Sequence, residues 1–347
     1  MKILFLSHKF YPEIGGIEVN SEILANQFVA LGAEVHLLTW SEYVGEKIFP
    51  FKVIRNPDLS TLLKEHRWAD VVFENNPSLK LSWPLLFFRK PHVVAIRTWI
   101  SRMDGNLAFP DKIKLLWLKK ASAVIAVSEE VRILSFAKAI VIGNPYRSSL
   151  FKITNTNQRT KDFVFLGRLV SDKGADLAVA LLKKLHETAG DFKRYKELSL
   201  TIIGDGPEKE RLIQLVKANN LSNYVHFTGM LQGDTLTSCL NEHKYLLAPS
   251  RWKEPFGNIA LEGMACGCLP FVSDGGGLID AVGNAGVVFE RNNIDSFYEQ
   301  VRELLESPEK ETLLRLNSSG HLLKHQPEYV AQLYYDLIFK AYNSKSI

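Results

Sequence analysis

Short runs of β-branched and other apolar residues alternate with longer stretches in which apolar positions recur every three or four residues, almost from end to end of the chain. A short run reads as a buried strand and a long periodic stretch as a helix, so the pattern predicts repeated βαβ units with parallel sheets. In the first half the predicted strands are residues 3–7, 35–39, 71–74, 93–96, 124–127 and 140–142, with a helix over 17–31 and Gly32 at its C-cap position. In the second half they are 163–166, 200–203, 225–228, 245–248, 270–273 and 287–289, with helices starting from Gly174, Pro207, Asn258 and Ile294. Residues 328–342 place Tyr329, Val330, Leu333, Tyr334, Leu337, Ile338 and Ala341 at helical spacing, and no strand follows.

Two Rossmann-like α/β domains account for this pattern. A polar, aperiodic stretch at 155–161 separates them, so the expected domains are 1–150, with the helix of 328–347 packing back on it, and 151–327. Crossings between them are expected at Asn144-Pro145 and at that last helix. The 347 residues agree with two domains of ~150 each. Two such domains facing one another hold their ligand in a cleft outside the carboxyl ends of the strands, so chemistry is expected in strand-to-helix loops.

Composition narrows the class. With 46% hydrophobic and 23% charged residues the chain is neither disordered nor fibrous. Lys and Arg number 42 against 38 Asp and Glu, a spread-out +4 that excludes a dedicated nucleic-acid binder. The three cysteines are an odd count, and Cys266 and Cys268 stand one residue apart, which suits a reducing compartment better than a disulfide framework or zinc site. The N-terminal apolar run is too short for a signal peptide and no stretch reaches the ~18 apolar residues of a span, so a cytoplasmic location is expected.

Four loops carry candidate chemistry. Gly15-Gly16 open the first long helix, where free N–H groups favour an anion. Gly167 to Gly174 hold Arg168 and Lys173, a fork and a point charge suited to a diphosphate, although two loop cations are more often simply solvated. Gly204-Asp205-Gly206-Pro207 begins another helix, and Asp205 can line a site or cap that helix. The strongest signal runs from Ser250 to Gly267: Glu254 stands in the loop and Glu262 in the second turn of a helix starting near Asn258. One ligand can span both carboxylates, against the amides of Gly257, Asn258 and Ile259.

Taken together, Gly15-Gly16, Arg168 with Lys173, Gly204-Asp205-Gly206, Glu254 and Glu262 around Glu-Pro-Phe-Gly, and Gly275-Gly276-Gly277 resemble the retaining glycosyltransferases of the GT-B fold, in the large nucleotide-sugar-dependent bacterial group (glycosyltransferase family 4, group 1). The resemblance covers nearly the whole chain. It implies two facing Rossmann-like domains with a cleft and a C-terminal crossover helix. It further implies that Glu254 contacts hydroxyls of the donor sugar, that Glu262 binds the ribose, and that Arg168 and Lys173 clamp the diphosphate. Gly16 and the amides of Gly257, Asn258 and Ile259 complete the cradle, and the backbone of Leu231 reads the base; from the residues themselves, Phe256-Gly257 between the two glutamates imply tight packing of helix and backbone around a ligand. No Asp-x-Asp occurs, so catalysis without metal or cofactor is expected, the positive charge coming from Arg, Lys and helix N-termini. Where the family has a histidine after the strand at 93–96, this chain has Arg97, a permanent cation that could neutralise the leaving phosphate or bind an acidic acceptor.

The activity implied is transfer of a hexose, with UDP-glucose as donor, to a glycan or lipid-linked acceptor in envelope or exopolysaccharide biosynthesis. A GDP-mannose-dependent mannosyltransferase, a GT-B epimerase and a sugar-nucleotide sensor without transfer are the alternatives. Residues 112–120 mix four lysines with an apolar stripe and Trp117, and 83–90 are similarly apolar before Arg89-Lys90. Such segments either face the core with solvated lysines, the expected case in a doubly wound domain, or form a peripheral surface at the inner face of a membrane.

Overall fold

A computed structural model of the chain describes residues 1–13, 15–43, 45, 47–100, 107–154, 159–188 and 193–344. The chain divides into two units, Met1–Pro145 with His325–Ile347, and Tyr146–Lys324.

In unit 1 the strands are β1 (Lys2–Leu6), β2 (Glu34–Thr39), β3 (Lys52–Arg55), β4 (Val71–Asn75), β5 (His92–Ile96), β6 (Ala123–Ala126) and β7 (Ile140–Val141). They form a parallel sheet in the order β3-β2-β1-β4-β5-β6-β7. The helices between them are α1 (Gly16–Ala30), α2 (Leu59–Trp68), α3 (Leu79–Ser82), α4 (Phe109–Lys120) and α5 (Glu129–Ser135). The sequence pattern missed β3, a four-residue edge strand with no buried residue.

In unit 2, β8 (Lys161–Leu166), β9 (Leu200–Ile203), β10 (Val225–Gly229), β11 (His243–Ala248), β12 (Leu269–Ser273) and β13 (Val287–Phe289) form a parallel sheet in the order β10-β9-β8-β11-β12-β13. Its helices are α6 (Ala175–Glu187), α7 (Lys209–Ala218), α8 (Gly233–Asn241), α9 (Asn258–Ala265), α10 (Leu278–Val282), α11 (Ile294–Glu306) and α12 (Pro308–Leu323). The chain then returns to unit 1 as α13 (Pro327–Asn343).

Strands buried on both faces need apolar side chains on both, and β1 shows this. Ile3 and Phe5 pack with Phe28 of α1 and with Tyr334 and Ile338 of α13. Leu4 and Leu6 point the other way, into a cluster with Leu62 of α2 and Leu81 of α3. The second sheet is sealed likewise by Leu181, Leu185, Phe297 and Val301 of α6 and α11.

Unit 2 begins earlier than the polar stretch suggested. Phe151 is buried, the Asn241 side chain donates to the Lys152 carbonyl at 3.1 Å, and the Thr154 amide donates to Asn241 Oδ1 at 2.9 Å. These bonds tie the segment before 155 into unit 2, while 155–158 lie outside the described residues.

A charged group sits at the centre of unit 1. Glu74 on β4 is fully buried, its Oε1 2.6 Å from His92 Nε2 and accepting from Trp117 Nε1 at 2.8 Å, its Oε2 accepting from the Ser78 amide at 2.8 Å. Burial pushes the carboxyl up, but the charge and bond of His92 with the other donors outweigh it, leaving the group below its usual range. Trp117 and Leu118 face the core and Lys112, Lys119 and Lys120 are exposed, as expected for a doubly wound domain, but the helix is apolar on a second side as well: Phe109, Ile113 and Leu116 are exposed. Among the described residues no helix is long and apolar enough to cross a membrane.

Candidate functional site

The carboxyl edge of the unit 2 sheet gathers most of the residues singled out in the sequence. Gly204, at φ +143°, passes so close to the loop after β8 that a Cβ would lie 1.9 Å from the Gly167 carbonyl. The Leu169 amide then donates to the Asp205 carbonyl at 2.9 Å, joining the loops after β8 and β9. Gly174, at φ +73°, would press a Cβ to 2.0 Å from the Pro249 carbonyl, which seats the loop after β8 against the one after β11. The loop after β12 follows: the Gly277 amide donates to the Glu254 carbonyl at 2.7 Å.

This convergence brings Lys173 and Glu254 together, Nζ to Oε1 at 2.5 Å, both side chains mostly buried. The buried Ser250 hydroxyl lies within reach of Glu254 Oε1 and the Asp172 carbonyl, at 3.2 Å each. The Lys173 ammonium also lies 5.6 Å from the centre of the Trp252 ring. An ammonium carries three N–H donors, so one spent on Glu254 leaves others for an anionic ligand. Arg168, five residues before, is exposed and holds no ion pair among the described residues. Two cations, one braced and one free, thus share a loop beside a carboxylate.

Glu262 sits in α9, whose N-cap is Gly257 with no side chain closing the helix end. Burial pushes its carboxyl up to about 7, and Arg147, 4.0 Å away, only partly opposes this. Neither Ser250, Trp252 nor Arg147 was assigned a role from sequence; the first two stood inside the strongest motif, whereas Arg147 had no signal beyond following Asn144-Pro145.

Other expected residues fall differently. Asp205 accepts from the Gly206 amide at 2.8 Å and from Lys209 Nζ at 3.0 Å, the local turn role rather than a group turned to a ligand. Phe256 is only 2% exposed, so its ring packs in the interior and the expected close approach to a ligand passes to the backbone around it. Leu231 follows β10 beside Gly204, whose amide donates to the Gly229 carbonyl at 2.9 Å. Gly15 and Gly16 lie in unit 1, as N-cap and first residue of α1.

Arg97 also belongs to unit 1, and the expectation of a presented cation is corrected there. It is 5% exposed, donating through Nε to Asn75 Oδ1 at 2.6 Å and through Nη1 to Asn144 Oδ1 at 2.8 Å, over the Tyr334 ring at 5.1 Å. Burial lowers its proton affinity, Tyr334 opposing. Nη2 alone makes no hydrogen bond among the described residues.

Comparison with known proteins fits this geometry. The family model described as glycosyl transferases group 1 matches residues 147–320. An uncharacterised glycosyltransferase of Methanocaldococcus jannaschii is 26% identical over 89% of this chain and 90% of its own. Among solved structures, Anabaena Alr3699/HepE in complex with UDP aligns with a TM-score of 0.81 at 17% identity, covering 98% of this chain and all of that one. The same protein in complex with UDP-glucose aligns at 0.76, with equal identity and coverage. With half of its length matched by the family model and its fold shared with these neighbours over 98% of the chain, the chain belongs to the glycosyl transferases group 1 family and has the GT-B fold.

Proposed function

We propose that this protein is a retaining hexosyltransferase of the family 4 type that uses a UDP-sugar, UDP-glucose first, and glycosylates a glycan or lipid-linked acceptor in envelope or exopolysaccharide biosynthesis. The Lys173–Glu254 ion pair carries the reading. A carboxylate that accepts sugar hydroxyls while it orients an ammonium toward phosphate suits the junction of sugar and diphosphate. Arg168 then supplies a fork for the remaining phosphate oxygens, and the amides of Gly257, Asn258 and Ile259 with the dipole of α9 add positive potential. With that charge in place the reaction is proposed to need no metal, so chelator should leave the rate unchanged. The UDP and UDP-glucose complexes of the Anabaena neighbour favour uridine over guanosine donors.

Retention follows if the acceptor hydroxyl attacks on the face from which the diphosphate departs, the new glycosidic bond forming as the sugar–phosphate bond breaks and the leaving oxygen taking the hydroxyl proton. Incubation with UDP-glucose or GDP-mannose tests the assignment. UDP released from the first and little GDP from the second supports it; an altered sugar without release indicates an epimerase, and tight binding without turnover a sensor. An inverted anomeric configuration in the product, read by NMR, overturns retention.

Glu262 gives this reading a pH signature. Only the ionised carboxylate accepts from both ribose hydroxyls, so affinity for UDP-glucose, whose diphosphate does not titrate in this range, should rise about tenfold between pH 6 and pH 8 as a group near 7 ionises. The unliganded fold shows the opposite slope: with the folded value raised above 4.5, the stabilising contribution is present below 4.5 and lost as pH rises through about 7. Glu262→Gln should flatten both curves, measured by calorimetry and by thermal melts. A UDP-glucose affinity that stays pH-dependent in this variant removes Glu262 from the ribose site.

A further inference from the structure

Helix α4 bears an apolar stripe that unit 1 leaves uncovered. At 3.6 residues per turn Phe109, Ile113 and Leu116 share one side of the helix, and they are 76%, 38% and 60% exposed. The preceding connection adds Leu86 and Phe87, 59% and 73% exposed. Both connections advance one strand in the same direction, from β4 to β5 and from β5 to β6, so right-handed crossovers put them on the same face of the sheet.

Among the described residues of these two connections the exposed charge is of one sign. Lys112, Lys119 and Lys120 project from α4 and Arg89 follows Phe87, all exposed and without an acidic partner among the described residues. The one acid of α4, Asp111, is buried, accepting from the Ala108 amide at 3.0 Å and paired with Lys114 at 3.5 Å. The exposed leucines of α12 give the contrast: Leu313 and Leu316 stand among Glu309, Lys310, Glu311 and Arg315, charges of both signs.

We propose that this face of unit 1 docks on an anionic phospholipid surface, with Phe109, Ile113 and Leu116 entering the interfacial layer and the lysines reaching the lipid phosphates. Lysine suits this position because its stem lies along apolar surface while the ammonium stays in the polar layer. A second copy is the weaker occupant, since a twofold pairing of this face sets its positive charges against themselves. The proposal goes beyond the transferase reading, and lipid binding is measured without any sugar nucleotide, so either can fail alone.

The test is cosedimentation of the full chain with phosphatidylcholine vesicles, with and without phosphatidylglycerol. The protein should pellet with the anionic vesicles at low salt and progressively less as salt is raised. At about fivefold per lysine, the triple variant Lys112→Gln, Lys119→Gln, Lys120→Gln should lose roughly 100-fold in partitioning. Phe109→Ser with Leu116→Ser, both at exposed positions, should keep the wild-type melting temperature and lose the binding that survives at moderate salt. No pelleting of the wild type at low salt, or equal pelleting of the triple variant, overturns the proposal. So does a concentration-dependent dimer abolished by the serine pair in a protein that ignores vesicles.

Discussion

Arg168→Ala is expected to lower turnover with a UDP-hexose about 10²–10³-fold, or roughly 2.7–4 kcal/mol of barrier, the usual loss when one preorganised donor to a developing charge is removed. The two cations of the loop are not equivalent. Lys173 is already shared with Glu254, whereas Arg168 is exposed and unpaired among the described residues, with its whole charge available to phosphate. In the proposed transfer, negative charge on the leaving diphosphate grows as the sugar–phosphate bond breaks, so the loss should fall mainly on kcat and less on KM. Arg168→Lys should recover part of the rate, keeping the charge without the fork. Wild-type turnover in Arg168→Ala would place the clamp elsewhere.

His92→Ala is expected to cost about 3–5 kcal/mol of folding stability at pH 7, because it strands the fully buried carboxylate of Glu74 without its compensating partner. The Trp117 and Ser78 donors remain but carry no charge. Urea unfolding measures the loss, and adding Glu74→Gln should restore part of it by removing the stranded charge. The pH dependence has a definite sign: the folded value lies below 4.5, so the contribution of Glu74 is present above 4.5 and lost as acid carries the pH through the lowered value. An unchanged urea midpoint in His92→Ala would show that Glu74 is held neutral.

The parallel sheets were legible because strands buried on two sides must be apolar throughout, as in Ile3-Leu4-Phe5-Leu6, and periodicity records that burial. Edge strand β3 was not, since partial exposure lets Lys52 and Arg55 interrupt the apolar run. In the site, Lys173 and Glu254 could each be named from motifs, but their ion pair depends on two loops brought together across a backbone approach at Gly174. Arg147 beside Glu262 is a pairing between positions 115 apart, with no local pattern to betray it. Arg97 shows the converse: its place after a strand was readable, while the asparagines that enclose it, Asn75 and Asn144, come from distant segments. The outward stripe of α4 was ambiguous for a related reason. Trp117 and Leu118 make the helix apolar on a second side, and periodicity does not say which side meets the sheet.

The position of α13 orders the birth of the molecule. Tyr334 and Ile338 fill the face of the first sheet next to Phe28 and Phe73, yet they emerge from the ribosome after the entire second unit. During synthesis the earlier-made half therefore waits with an open hydrophobic seam, while the later-made half, continuous from Tyr146 to Lys324, can close by itself. The unit made first is thus the one sealed last.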